Sequence, residues 1–207
     1  MAGTTVFTPA EAAFLLGEPV KVLKKALDAG VVEAKLVRRP GVGLVREIEW
    51  PDVVYLHAVQ ALRDELTVKA RAEFYKALKN TEIERVDEIR FGQLRVVIDD
   101  FKREMLERRR ALEELVAKVE FRSDGEPLLK GTTIEVYRIA ALLDGGLAPD
   151  EVADDYPSLS RDDIETARAY AGAYPKNGRP YPRTTAKRAL AGIGLEALDE
   201  EADFEGA

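Results

Sequence analysis

Apolar residues in the first part of the chain follow the spacing of two short helices and then of a β-hairpin. Thr8-Pro9-Ala10-Glu11 has the spacing of a capping box with proline at the first helical position, which predicts a helix start. Gly17 ends this helix, and a second helix begins after Pro19 and ends at Gly30. Two β-prone runs flank the turn residues 40–43, so we expect a hairpin after the second helix.

Helical and strand-like patterns alternate along the rest of the chain. Helical spacing runs from 52 to 79 with a break near 66–67, and alternating apolar residues over 89–98 predict a second hairpin. A long helix is predicted next, over 99–119. Glycine, proline and serine signals then delimit three helices, which we place at 136–143, 149–156 and 160–174.

The long helix carries apolar residues alternately four and three positions apart, as at a seam between two helices. The series includes one charged residue, Arg108, which neither excludes nor requires a dimer. Ordinary core packing is one interpretation of this seam. The other is a homodimer contact through Phe101, Met105, Leu112 and Leu115.

Together these elements predict a mainly α protein with small β-hairpins. We expect an N-terminal winged helix-turn-helix and a C-terminal trihelical domain with a helix-turn-helix-like arrangement. The predicted parts are a DNA-binding domain at 1–82, a linking hairpin and long helix at 83–120, the trihelical domain at 121–175 and a flexible tail at 176–207.

The composition of the chain excludes several classes of function. The 207 residues include no cysteine, which excludes disulfides, thiolate catalysis and cysteine-ligated metal sites. No apolar run approaches the length of a membrane span, and residues 1–14 lack the pattern of a signal peptide. We therefore expect a cytoplasmic protein without membrane partners.

The distribution of charge is more informative than the net charge of −7. Residues 121–175 carry five basic and eleven acidic groups, so we expect this part to contact protein rather than DNA phosphates. Residues 176–188 carry five basic groups and no acidic group, and the remaining residues carry six acidic groups and no basic group. The tail is therefore charge-segregated.

The first helix pair and the hairpin after it have the order of a helix-turn-helix with a wing, in which the second helix enters the major groove. Basic residues lie on this second helix and on the wing, where phosphate and base contacts are available. The alternative is a merely solvated basic surface. The predicted DNA-binding residues are Lys21, Lys24, Lys25, Lys35, Arg38, Arg39 and Arg46.

Two stretches of the N-terminal part resemble the winged helix-turn-helix of the MerR-like family. They are Phe7-Thr8-Pro9-Ala10-Glu11-Ala12-Ala13 and Leu16-Gly17. The resemblance implies binding to operator DNA.

A longer resemblance lies in the C-terminal part. It rests on Gly125-Glu126-Pro127-Leu128-Leu129-Lys130-Gly131-Thr132-Thr133-Ile134-Glu135-Val136, on Leu142-Leu143-Asp144-Gly145-Gly146, and on Asp155-Tyr156-Pro157-Ser158-Leu159-Ser160-Arg161-Asp162-Asp163-Ile164. This series resembles the "domain of unknown function" family numbered four hundred and thirty-three. Members of that family resemble VapB-type antitoxins, which implies neutralisation of a PIN-like ribonuclease toxin and repression of the protein's own operon.

The basic part of the tail fits the partner that this resemblance implies. PIN-type toxins hold a divalent metal in a carboxylate cluster, which an antitoxin arginine can enter. Arg179 and Arg183 are the leading candidates, and a solubilising tail is the alternative. The full set of predicted toxin-binding residues is Lys176, Arg179, Tyr181, Arg183 and Arg188.

Signals for catalysis are weak, and we expect neither an enzyme nor a bound cofactor or metal. His57 is the single histidine and lies among apolar residues of a helix, where a packed imidazole is expected. The adjacent acids Asp154-Asp155 and Asp162-Asp163 point apart on helices and are typical of solvated faces or caps. Residues 40–43 lack the spacing and the lysine of a phosphate-binding loop.

Two other functions remain open. One is a MerR-like ligand-responsive transcription regulator that uses the C-terminal domain as its sensor, with tyrosines as candidate pocket residues. These tyrosines are Tyr137, Tyr156 and Tyr170. The other is a module that neutralises a toxin and never contacts DNA.

Overall fold

The computed structural model describes residues 5–39, 43–176, 178–186 and 188–189. The chain divides into two compact units, Met1–Glu114 and Leu115–Ala207. The division falls inside the predicted linking segment 83–120, so this segment is not a separate body. Within the described residues, no helix is long and apolar enough to cross a membrane.

Eight α-helices lie in the described part of the chain. They are α1 (Pro9–Leu16), α2 (Val20–Asp28), α3 (Trp50–Ala61), α4 (Val68–Lys79), α5 (Asp99–Ala117), α6 (Val136–Asp144), α7 (Pro149–Asp155) and α8 (Arg161–Ala173).

Seven short strands in these described residues form small antiparallel sheets. They are β1 (Val6–Phe7), β2 (Lys35–Arg39), β3 (Gly43–Glu49), β4 (Glu88–Phe91), β5 (Leu94–Val97), β6 (Val119–Phe121) and β7 (Pro127–Leu129). Their order is β1-β3-β2 in one sheet, with β4-β5 and β6-β7 as separate pairs. The predicted class, mainly α with small β-hairpins, is confirmed.

The start of the first unit forms as its local sequence predicts. The Thr8 side chain accepts a hydrogen bond from the backbone of Glu11, and the Glu11 carboxylate accepts one from the backbone of Thr8. Gly17 ends α1 in the left-handed region at φ 67°, which glycine adopts without a steric penalty. Helix α2 follows three residues later, so the sharp turn between the helices is set by one glycine.

Helix α5 contacts other helices of the first unit through its long side chains. Arg108 donates a hydrogen bond to the carbonyl of Leu15 at 2.8 Å, close to the end of α1. The guanidinium of Arg109 lies 5.7 Å from the ring centre of Trp50, at the start of α3. The charged residue of the predicted seam therefore serves as a cap for another helix, where last-turn carbonyls lack helical partners.

The predicted dimer seam is largely used inside the chain. Met105, Leu112 and Leu115 are buried in the single chain. Phe101 is half-buried and lies edge-on to His57, with ring centres 5.7 Å apart. Three of the four side chains are therefore buried within the chain, and this burial favours the core-packing interpretation of the seam.

The second unit combines the β6-β7 pair with helices α6, α7 and α8. Helix α8 begins with a capping box between Ser160 and Asp163, and its inner face buries Ile164, Ala167 and Tyr170. Helix α6 buries the apolar face that packs on α8. The three helices lie within one or two residues of their predicted bounds.

Candidate nucleic-acid interface and C-terminal strap

Helix α2 presents three lysines on its outer face. Leu23 and Leu27 are buried, which fixes the opposite face outward. Lys21, Lys24 and Lys25 are exposed, and they line a shallow depression of about 520 Å³. Within the described residues none of these three ammonium groups forms an ion pair. They are available to an anionic partner.

Strands β2 and β3 form a two-stranded extension, here called the wing, whose register sorts its side chains onto two faces. Leu36 pairs with Arg46, and Arg38 pairs with Leu44. Directly paired residues share a face, and so do alternate residues of one strand. These four residues therefore form one face of the wing.

An ion pair links this face of the wing to α2. Arg46 donates to a carboxylate oxygen of Asp28, the last residue of α2, at 2.6 Å. Ile48, two residues further on the same face, is fully buried in the core of the unit. The face of Leu36, Arg38, Leu44 and Arg46, here called the front face, thus lies on the same side of the unit as the end of α2.

The predicted DNA-binding residues divide into three groups. Lys21, Lys24, Lys25 and Arg38 are exposed, and Arg46 lies on the front face with Asp28 as its partner. Lys35 lies on the opposite face, where it forms an ion pair with Glu49. The side chain of Arg39 lies outside the described part of the structure.

A buried carboxylate behind the wing was not predicted. Asp52 is 0 % exposed and accepts hydrogen bonds from the Tyr75 hydroxyl at 2.9 Å and from the backbone of Glu49 at 3.1 Å. Lys79 lies 3.2 Å from Asp52 and 2.7 Å from Glu49. This network connects β3 to α3 and α4. Lys35 of β2 also pairs with Glu49 and so belongs to the same network. The only sequence signal was the position of Asp52 in the first turn of α3.

Burial and charge shift the pKa values in this network in opposite directions. Burial raises the pKa of the Asp52 carboxyl above its ordinary 3.8, although Tyr75 and Lys79 counteract it. Hydrogen bonds from Lys35 and then Lys79 lower the pKa of Glu49 below 4.5. Burial also raises the pKa of the Tyr75 hydroxyl, which stays protonated and donates to Asp52.

In the second unit, the described residues of the segment 176–189, here called the strap, are bound to the helical body. Lys176 Nζ lies 2.8 and 2.9 Å from the carboxylate oxygens of Glu126. The same ammonium lies 5.0 Å from the ring centre of Tyr137 and 4.9 Å from that of Tyr181. Aromatic faces attract a cation, so this arrangement is a cage for one ammonium group.

Two further anchors hold the rest of the strap. Arg138 of α6 donates to the carbonyls of Pro182 and Thr184 at 3.2 and 3.3 Å. Arg188 lies 2.9 Å from both Asp155 and Glu151 of α7. These contacts join residues that are 33 to 46 positions apart in sequence.

The strap backbone also passes directly over the end of α6. A Cβ atom built on Gly145 would lie 2.1 Å from the carbonyl oxygen of Arg183, a distance that real Cβ atoms do not show. Thr185, two residues later, is buried at 8 % exposure. The strap thus requires the absence of a side chain at position 145.

The structure differs here from the prediction of a flexible tail. Composition indicated too little apolar content for order, but the body supplies carboxylates and tyrosine rings that bind the cations of the strap. Of the predicted toxin-binding residues, Lys176, Tyr181 and Arg188 contact this chain itself. Arg179 and Arg183 are exposed, with no ion pair in the described residues. Residues 190–207 lie outside the described part.

A depression of about 360 Å³ lies beside the strap in the second unit. Three of its polar groups already have partners: Arg138 donates to the Tyr156 hydroxyl, and Glu135 pairs with Arg122, which lies outside the depression. Few polar groups are left to fix a ligand. Its lining residues are Thr133, Ile134, Glu135, Arg138, Tyr156 and Tyr181.

His57 is buried and contacts helix α5. Its Nε2 lies 2.9 Å from a carboxylate oxygen of Glu104 on α5, and its Nδ1 is buried without a partner in the described residues. The contact with His57 is the main cause that lowers the pKa of Glu104. Within the described residues, no group of three or more histidine or acidic side chains is arranged to hold a metal ion.

Comparison with known proteins gives one domain-level match. Residues 122–171 match the family model described as "Protein of unknown function (DUF433)". This confirms the resemblance that residues 125–164 carry in their sequence. No curated protein matches the chain.

One similar solved structure is the X-ray crystal structure of Rv2018 from Mycobacterium tuberculosis. It shares 16 % sequence identity with this chain, with coverage of 78 % of this chain and 95 % of the other. The TM-score is 0.26, and at this value the resemblance bears on neither fold nor function.

Proposed function

We propose that the first unit binds double-stranded DNA, with α2 in the major groove and the wing against the neighbouring backbone. The proposal is based on one observation. Two basic elements, the lysines of α2 and the front face of the wing, lie on the same side of the unit. Arg46 bound to Asp28 joins these two elements. A helix with a wing beside it is a common arrangement for reading duplex DNA.

Charge reversal tests this assignment. We expect the variant Lys24→Glu/Lys25→Glu to lose binding to the DNA that lies upstream of the protein's own coding region. In the single neutral variant Lys24→Gln, each lost phosphate contact should reduce the slope of log K against log salt by about 1. The matched control is Lys69→Glu/Lys76→Glu, which reverses two exposed lysines of α4 in the same unit. Equal loss in the control would show that net charge, not the α2 surface, determines binding.

We propose that the second unit binds a protein partner and that this partner is a PIN-like ribonuclease toxin, the kind of partner that the sequence resemblance implies. Arg179 and Arg183 support this proposal, because both are exposed on a strap that is anchored before and after them. Anchoring reduces the entropy that these side chains lose on binding. The whole protein would then be an antitoxin that represses its own operon as a homodimer in the cytoplasm.

The partner is tested by co-expression with the adjacent open reading frame. We expect a ribonuclease to co-purify in silent form and to become active when the antitoxin carries Arg179→Glu/Arg183→Glu. Arg168→Glu is the matched control, since Arg168 is exposed on α8 and lies outside the strap. If no protein co-purifies, the antitoxin role fails, and the ligand-responsive regulator with its pocket beside Tyr156 becomes the leading function.

A further inference from the structure

Two leucines on the front face of the wing are exposed to solvent. Leu36 is 64 % exposed and Leu44 is 66 % exposed. They are diagonal neighbours across the β2-β3 pair, because Leu36 pairs with Arg46 and Leu44 pairs with Arg38. Diagonal neighbours of this kind lie about 7–8 Å apart, so the two side chains form one small apolar ridge.

The charges around this ridge favour an anionic partner over a second copy of the chain. The ridge alternates with Arg38 and Arg46 on the same face, and the three lysines of α2 lie on the same side of the unit. Strand β2 is an edge strand with three basic residues among its five, which discourages pairing between two copies. A partner that meets this face must accept cations beside apolar groups.

The minor groove of DNA provides both features. Its phosphate walls attract arginine, and several DNA-binding proteins insert leucine or similar apolar side chains there between base pairs and bend the duplex. We propose that Leu36 and Leu44 enter the minor groove next to the major-groove site of α2 and bend the DNA, while Arg38 binds the groove or its phosphates. This inference rests on the proposed DNA binding and adds the mode by which the wing takes part in it.

A wedge of this kind requires a wing that resists bending, and the wing is braced on both faces. Arg46 holds the front face to α2 through Asp28. On the opposite face, Glu49 binds both Lys35 and Lys79, which connects the wing to α4. The described strands of the wing are therefore supported by contacts on both faces.

The experiment uses the full chain and a duplex of the DNA upstream of its coding region, with a donor and an acceptor dye at the two ends. Energy transfer between the dyes reports bending, and fluorescence anisotropy reports affinity. The test variant is Leu36→Ala/Leu44→Ala. Leu94→Ala is the matched control, because Leu94 is also an exposed leucine of a hairpin in the same unit, at 48 % exposure. Thermal unfolding of each variant verifies that it is folded.

We expect wild type and Leu94→Ala to bind with increased energy transfer. Leu36→Ala/Leu44→Ala should bind about tenfold more weakly, with energy transfer close to that of free DNA. Equal affinity and equal bending in the double variant would overturn the wedge and leave DNA binding intact. No binding by wild type would overturn the proposed function itself. A change in molecular mass of the free double variant would assign the ridge to a second copy instead.

Discussion

The substitution Gly145→Ala tests whether the strap is docked on the rest of the second unit. Gly145 has φ −77°, a conformation that alanine adopts readily, so the substitution introduces no backbone strain. The added Cβ would lie 2.1 Å from the carbonyl oxygen of Arg183, and real contacts of this kind begin near 3.0 Å. The strap backbone must therefore move by about 1 Å or detach.

The expected magnitude follows from the bonds beside that contact. Arg138 reaches Pro182 and Thr184 at 3.2 and 3.3 Å, so a displacement of about 1 Å breaks both hydrogen bonds. Because these bonds are exposed, we take the low end of the usual range, about 1.4 kcal/mol for the pair. A loss of this free energy corresponds to an increase of about tenfold in the fraction of molecules whose strap is detached.

Limited digestion with trypsin measures this change, since Lys176 and Arg183 lie in the strap and are followed by residues other than proline. Cleavage of Gly145→Ala at these sites should be about tenfold faster than cleavage of wild type. Gly172→Ala is the matched control: it adds the same atom to α8, with nothing within 4 Å. Equal cleavage rates for Gly145→Ala and wild type would refute the docked position of the strap.

Two further predictions concern buried and paired carboxylates. Asp52→Ala should lower the free energy of unfolding by about 3 kcal/mol, because it leaves the Tyr75 hydroxyl and the backbone N–H of Glu49 without their acceptor and removes one of the two carboxylates that bind Lys79. Urea denaturation measures this, with the exposed Asp28→Ala as control, and a loss near that of the control would contradict it. The backbone of Ala148 and then Arg188 lower the pKa of Glu151 below 4.5, so its stabilising effect is present above pH 4.5 and is lost as the pH falls through the lowered value. The difference in unfolding temperature between wild type and Glu151→Gln should therefore shrink in acid, and a difference that persists there would show that the charge of Glu151 is not its cause.

Local signals predicted most of the elements. The capping box at Thr8, the glycine after α1 and the break before α4 act between residues a few positions apart, so the sequence reveals them directly. The two-residue strand β1 had no such signal, since it exists only through its pairing with β3. The basic residues of the interface were likewise visible, but their division between two faces of the wing depends on the register of β2 and β3.

By itself, then, the sequence determined the helices, the first two hairpins, the location of the basic surface and the resemblance of residues 122–171 to a family of unknown function. The tertiary structure decided three things: which face of the wing lies on the same side of the unit as α2, the buried position of Asp52, and the docking of the strap. Each of these depends on a contact between residues distant in sequence, such as Lys176 with Glu126. Such contacts leave no periodic pattern in a single sequence, because their geometry exists only after the local elements have packed.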